Sequence, residues 1–132
     1  MSAPVATKLT PVLCVEAIEP CLAFWCDRLG FTQTVAVPHG DALGFAILSQ
    51  GEVEVMLQSR ASVAADVPAL AAGPFASDGV GLFLEVADLD AILAAIVGCE
   101  ILVPERTTFY GMREVGVRAP GGFMVLFAQK LA

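Results

Sequence analysis

Histidine occurs once, at His39, tryptophan once, at Trp25, and tyrosine once, at Tyr110, in a chain of 132 residues. One imidazole and four cysteines (Cys14, Cys21, Cys26 and Cys99) without a CxxC pair leave a zinc module without its ligand spacing. The thiols read instead as reduced, packed small hydrophobes. Bases are scarce too, with 7 Lys and Arg against 14 Asp and Glu. The net charge of -7 repels phosphate backbones and anionic membrane surfaces, so no nucleic-acid partner is expected. Apolar runs are short: Glu85, Asp88 and Asp90 interrupt the most hydrophobic region before it reaches the roughly 18 residues of a membrane span. Residues 1–10 lack an apolar signal core. A cytoplasmic protein with no membrane partner is expected. There is also no Ser/His/Asp grouping, activated cysteine motif or phosphate loop, which argues against covalent catalysis.

What the chain has in excess is apolar side chain, 57% of its residues, where roughly 45–50% is ordinary even with glycine counted. A domain this small has limited interior to hide it, so a homodimer is the expected outlet.

The sequence repeats. Val15 in Pro11-Val-Leu-Cys-Val-Glu-Ala-Ile18 and Val86 in Leu82-Phe-Leu-Glu-Val-Ala-Asp-Leu89 stand 71 residues apart, as do Gly51 and Gly122. Each half reads as strand, helix and three strands. In the first half, strand-formers at 10–15 precede a helix begun at Glu19-Pro20 and stopped by Gly30, with Leu22, Trp25, Cys26 and Leu29 on one face. Strands follow at 31–37, 43–49 and 53–58. In the second, a strand at 80–86 leads to a helix capped by Asp88, with Leu89, Ile92, Leu93 and Ile96 on one stripe. Strands at 100–103, 113–118 and 123–128 complete it, the last two joined by the turn Ala119-Pro-Gly-Gly122. The expected fold is α+β: two βαβββ modules, residues 8–60 and 78–130, each curling a mixed sheet around a cleft. The 61–77 stretch, rich in Ala, Pro and Ser, is a linker or mobile lid.

Pro11-Val-Leu-Cys-Val, Leu22-Ala-Phe-Trp-Cys-Asp-Arg-Leu-Gly-Phe31, the helix after Asp88 and Tyr110-Gly-Met-Arg-Glu-Val followed by Ala119-Pro-Gly-Gly resemble the vicinal oxygen chelate superfamily, and within it glyoxalase and bleomycin-resistance proteins. The resemblance covers residues 9–129; Ala119 departs from the family's usual Asp before that proline. It implies a metal site of His, Glu or Gln at four positions, which here correspond to Thr10, Met56 (or, with a one-residue slip, Val55), Gly81 and Leu126. None is a usual ligand of a divalent ion, so no metal and no cofactor are expected. An adventitious site from His39, Glu54 and Glu85 is the lesser alternative.

Strand alternation puts Thr10, Val12, Cys14, Glu54, Met56, Gln58, Phe83, Glu85, Met124 and Leu126 on the cleft wall, a mostly apolar lining with a few polar points. Tyr110, beside Gly111, occupies a position where the resemblance implies an aromatic that stacks on flat ligands; Trp25 is assigned to the core. The leading reading is a metal-free protein that binds and sequesters a hydrophobic or aromatic, partly cationic small molecule such as an antibiotic, with no catalytic residue. The alternative is a metal-dependent glyoxalase- or dioxygenase-type enzyme with atypical ligands.

Overall fold

The computed structural model describes residues 3–132. Burial alternates along strand β1 (Val12–Val15): Leu13 and Val15 point inward, and Val12 stays 48% exposed. Helix α1 (Glu19–Leu22) carries Pro20 in its first turn, where the missing N–H costs nothing. It widens directly into a π-helical stretch, Ala23–Arg28, in which the Leu29 N–H reaches back to the Phe24 carbonyl and Gly30, at φ +78°, ends the helix. A regular 3.6-residue period places Leu22, Trp25, Cys26 and Leu29 on the buried face. The wider turn instead buries Phe24 together with Cys21, Trp25 and Leu29, and leaves Leu22 and Cys26 at the margin of the core.

Strands β2 (Thr32–His39), β3 (Ala42–Gln50) and β4 (Val53–Ser59) form an antiparallel meander, and β1 lies parallel to β4, giving the order β1-β4-β3-β2. The second module repeats that order as β5-β8-β7-β6, from β5 (Gly81–Glu85), β6 (Ile101–Thr107), β7 (Met112–Arg118) and β8 (Met124–Lys130). β6 runs four residues past the expected stop at Val103. Pro104 falls in an irregular step of an edge strand, where its missing N–H is tolerated.

Between the modules the expected linker folds into two short helices, α2 (Arg60–Asp66) and α3 (Pro68–Ala71). Ser59 caps α2 by accepting the Ser62 N–H, and fully buried Val63 anchors it. The Arg60 guanidinium ties the segment down. It binds both Glu16 carboxylate oxygens, donates to the Ala71 and Gly73 carbonyls, and lies 4.0 Å over the Phe75 ring.

Helix α4 (Leu89–Ala95) is capped by the Asp88 carboxylate, which accepts from the Asp90 and Ala91 amides. Buried side chains of α1, α4 and both sheets make one hydrophobic cluster. Arg28 links the two helices by donating to the Ala95 and Val97 carbonyls at 3.0 and 2.8 Å. One face of each sheet is therefore consumed by the core, and the other is left open. No helix among the described residues is long and apolar enough to cross a membrane.

The two modules differ by one residue in their last hairpin. Val12 pairs with Met56 and Phe83 with Leu126, so the first strands are offset by 71 residues and the last by 70. The first hairpin turns through Gly51 and Glu52 between the paired Gln50 and Val53. The second closes with the Ala119 N–H on the Phe123 carbonyl and has three residues in the turn.

Candidate functional site

Cross-strand register sorts the expected wall residues into two groups. On the open face of the first sheet, Val12 is beside Met56 and Cys14 beside Gln58, and Glu54 stands two residues from Met56 on the same face. On the second, Gly81 is beside Met124, Phe83 beside Leu126 and Glu85 beside Ala128. The wall is thus two half-sites, one per module. Thr10 lies half-buried ahead of β1, outside the ladder.

The polar members are engaged. Lys8 pairs with Glu54 at 3.0 Å, and Lys130 approaches Glu85 at 3.8 Å. Gln58 donates to Ser62 and Asp66 of α2. Of the apolar members, Val12 and Phe83 are half-exposed while Cys14, Met56, Met124 and Leu126 are partly buried, and Val35 and Val37 of β2 add further apolar surface. A hollow of about 560 Å³ extends the first half-site beneath the inter-module segment, between Val12 and Cys14 on one side and Leu70 and Phe75 on the other. Burial pushes the Cys14, Cys21 and Cys26 thiols up from their ordinary range, opposite to the shift of a nucleophilic cysteine.

In the same register Met56, and not Val55, is the counterpart of Leu126. A metal does not fit the four side chains at these positions. They offer a hydroxyl, a thioether, no side chain and a hydrocarbon. A Cβ added to Gly81 would come 2.9 Å from the Met124 methyl, so a ligating residue there needs Met124 to move. Among the described residues no three His, Cys, Asp or Glu side chains gather, and His39, Glu54 and Glu85 are not brought together.

Sequence reasoning missed Glu114. It is the one charged side chain buried among the described residues, at 0% exposure on β7. It stands opposite Ala128, which in turn neighbours Glu85, so it belongs to the second open face. Arg106 binds one of its oxygens from Nε and Nη2, both at 2.9 Å, and the Tyr110 hydroxyl donates to the other at 2.8 Å. Strand alternation was the available signal, since Gly116, two residues on, pairs with Leu126 of the open face. Donating its proton to the Glu114 carboxylate holds the Tyr110 phenol above its usual range. Tyr110 therefore has its hydroxyl fixed and its ring half-exposed, edge-on to the fully exposed Phe109 at 5.1 Å.

Two four-stranded mixed sheets of identical order, each built by a βαβββ unit and each keeping one open face, define a duplicated-module protein of the paired curled-sheet class. The chain belongs to the Glyoxalase/Bleomycin resistance protein/Dioxygenase superfamily, whose family model matches residues 8–127. Among solved structures it is similar to a glyoxalase/bleomycin resistance protein/dioxygenase from Nocardioides, at 21% identity over 98% of this chain and 87% of that one (TM-score 0.74). TioX from Micromonospora sp. ML1 aligns at 18% identity over 96% and 100% (TM-score 0.68). The bleomycin-binding protein of Streptomyces verticillus, solved with copper(II)-bleomycin, aligns at 22% over 98% and 99% (TM-score 0.60). No curated protein matches the chain.

Proposed function

We propose that the protein binds and sequesters a hydrophobic or aromatic small molecule on its open sheet faces, without a metal and without covalent chemistry. The observation that carries this reading is the apolar lining of the open faces, half-exposed Val12 and Phe83 beside partly buried Met56 and Leu126, together with ligand positions that hold no metal-binding group. The acidic net charge favours a ligand with cationic character. The likeness to a protein solved with copper(II)-bleomycin supports an antibiotic as the first ligand class to try. A panel of planar cationic antibiotics should contain a member that raises the melting temperature, since a ligand at a hundred times its Kd stabilises by about 2.7 kcal/mol. Elemental analysis after dialysis against a chelator should find no stoichiometric metal. One retained equivalent of zinc, nickel, iron or manganese sinks this reading and promotes a metal-dependent lyase or dioxygenase.

Half-sites call for a complement. The protein is a homodimer in this proposal, a second copy covering the apolar side chains that each sheet leaves open, Val12, Val35, Val37 and Phe83 among them. Light scattering should return twice the chain mass of 13.7 kDa; a monomer mass that holds across concentration is the contrary result.

A further inference from the structure

The hollow beneath the inter-module segment has Val12 and Cys14 of β1 as its floor, and Ala69 and Leu70 of α3 with Phe75 beyond them as its roof. No residue from 64 to 80 is buried, and Leu70 is 57% exposed, so packing does not set the height of the roof. Arg60 sets it. Its Nε holds both carboxylate oxygens of Glu16, the residue that follows β1, at 2.8 and 2.9 Å, and its Nη1 donates to the Ala71 and Gly73 carbonyls of the roof, both at 3.1 Å. One side chain therefore spans from the end of the floor strand to the roof. Apolar surfaces in water gain by closing on one another. Here a polar strut holds about 560 Å³ open between them, a volume within the range of small-molecule sites.

We propose that this roofed end of the first half-site takes the uncharged, apolar end of the ligand, an aryl or alkyl group, and that the segment from Pro68 to Ala76 is its lid, latched by Arg60. The inference rests on the small-molecule reading above and states how the ligand lies. No charged side chain among the described residues lines the hollow, and Arg60 and Glu16 neutralise each other at 2.8 Å. A charge carried into the hollow loses its water and finds no partner. Any cationic group of the ligand therefore stays outside the hollow, over the open sheet. The roof, seated by one guanidinium rather than by a buried face, can lift to admit the apolar end and settle on it.

N-Phenyl-1-naphthylamine, neutral and fluorescent in apolar surroundings, is the probe, and 1-anilinonaphthalene-8-sulfonate is its charged counterpart. Titration of the full chain should show one saturable site per chain, with the neutral probe about tenfold or more the tighter. Cys14→Phe fills the hollow from its floor and Ala69→Phe from its roof, and each should weaken the neutral probe by about tenfold. Ala69 is exposed, which keeps the test decisive if Cys14→Phe does not fold. Arg60→Gln should speed release of the probe about fivefold in stopped flow well below the melting midpoint, an effect that a loss of global stability does not produce. Absence of saturable binding, equal affinity for the two probes, undiminished binding to Ala69→Phe, or unchanged release from Arg60→Gln overturns the proposal. Loss of the probe with Phe83→Ser but not with Ala69→Phe also overturns it, by moving the probe to the second sheet. The small-molecule reading survives that result, since the antibiotic panel and the metal analysis decide it separately.

Discussion

Glu114→Ala should lower the melting temperature by about 10 °C. The substitution strips hydrogen bonds from the Tyr110 hydroxyl and the Arg106 guanidinium, and a bond to a charged group is worth roughly 1.5–3 kcal/mol. Arg106 is 56% exposed and recovers part of its solvation, so the net loss is about 2–3 kcal/mol. In a chain of 132 residues that moves the midpoint by roughly 3–5 °C per kcal/mol. Replacing both partners, Arg106→Met with Glu114→Met, should restore much of the loss because no unpaired group is left behind. The lone tyrosine gives a second readout by absorbance titration. Its ionisation should fall above the ordinary range in the parent and return to it in Glu114→Ala. Since the folded phenol is shifted upward, the stabilisation linked to it is present below about pH 10, the unfolded value, and is lost as pH climbs through the folded one. An unchanged midpoint together with an unchanged titration removes Glu114 from the second face.

Gly121→Val should cost about 3 kcal/mol in urea unfolding. Gly121 sits at φ +92°, where a β-branched residue is a steric outlier, and an added Cβ would come 2.8 Å from Val15 Cγ1 and 3.1 Å from Phe123 Cε2. Backbone strain of roughly 1–2 kcal/mol adds to an overpacking cost of similar size. Gly40→Val is the control, since Gly40 also has positive φ, at +64°, but nothing lies within 4 Å of its added Cβ. Equal costs for the two variants refute the contact between the second module's hairpin and the first module's β1.

The duplicated architecture was legible because two landmarks, a valine at the close of each first strand (Val86 stands one residue past β5) and a glycine in each last hairpin, kept a spacing of 71, although the last strands themselves are offset by 70. The capped helix after Asp88 was legible for its spacing and its acid. Other features depend on tertiary context. The π-helical winding at Ala23–Arg28 carries no periodic signature, and it decides that Phe24 is buried. Arg60 looks like a solvated base in a run of small residues, yet it reaches Glu16, 44 positions earlier, and fastens the segment between the modules. Glu114 follows Arg113 in a charged pair set between Met112 and Val115, and only the turn at Tyr110 brings its partners Arg106 and Tyr110 to it. The open-face residues were found by alternation, but their division between two sheets follows from the common core, which no local pattern announces.

The extra residue of the second hairpin has a consequence for how such a chain can change length. Side chains in a strand switch sides at every step, so an odd insertion within β8 would exchange Leu126 for Phe127, turning a large aromatic outward and an aliphatic inward along the rest of the strand. Placed in the turn between Ala119 and Phe123, the same insertion leaves every side chain on its own side of the sheet. Parity is thereby conserved across the duplication while loop length is not. Either module can accept a longer or shorter hairpin, of odd or even size, and still present the same residues to whatever occupies its open face.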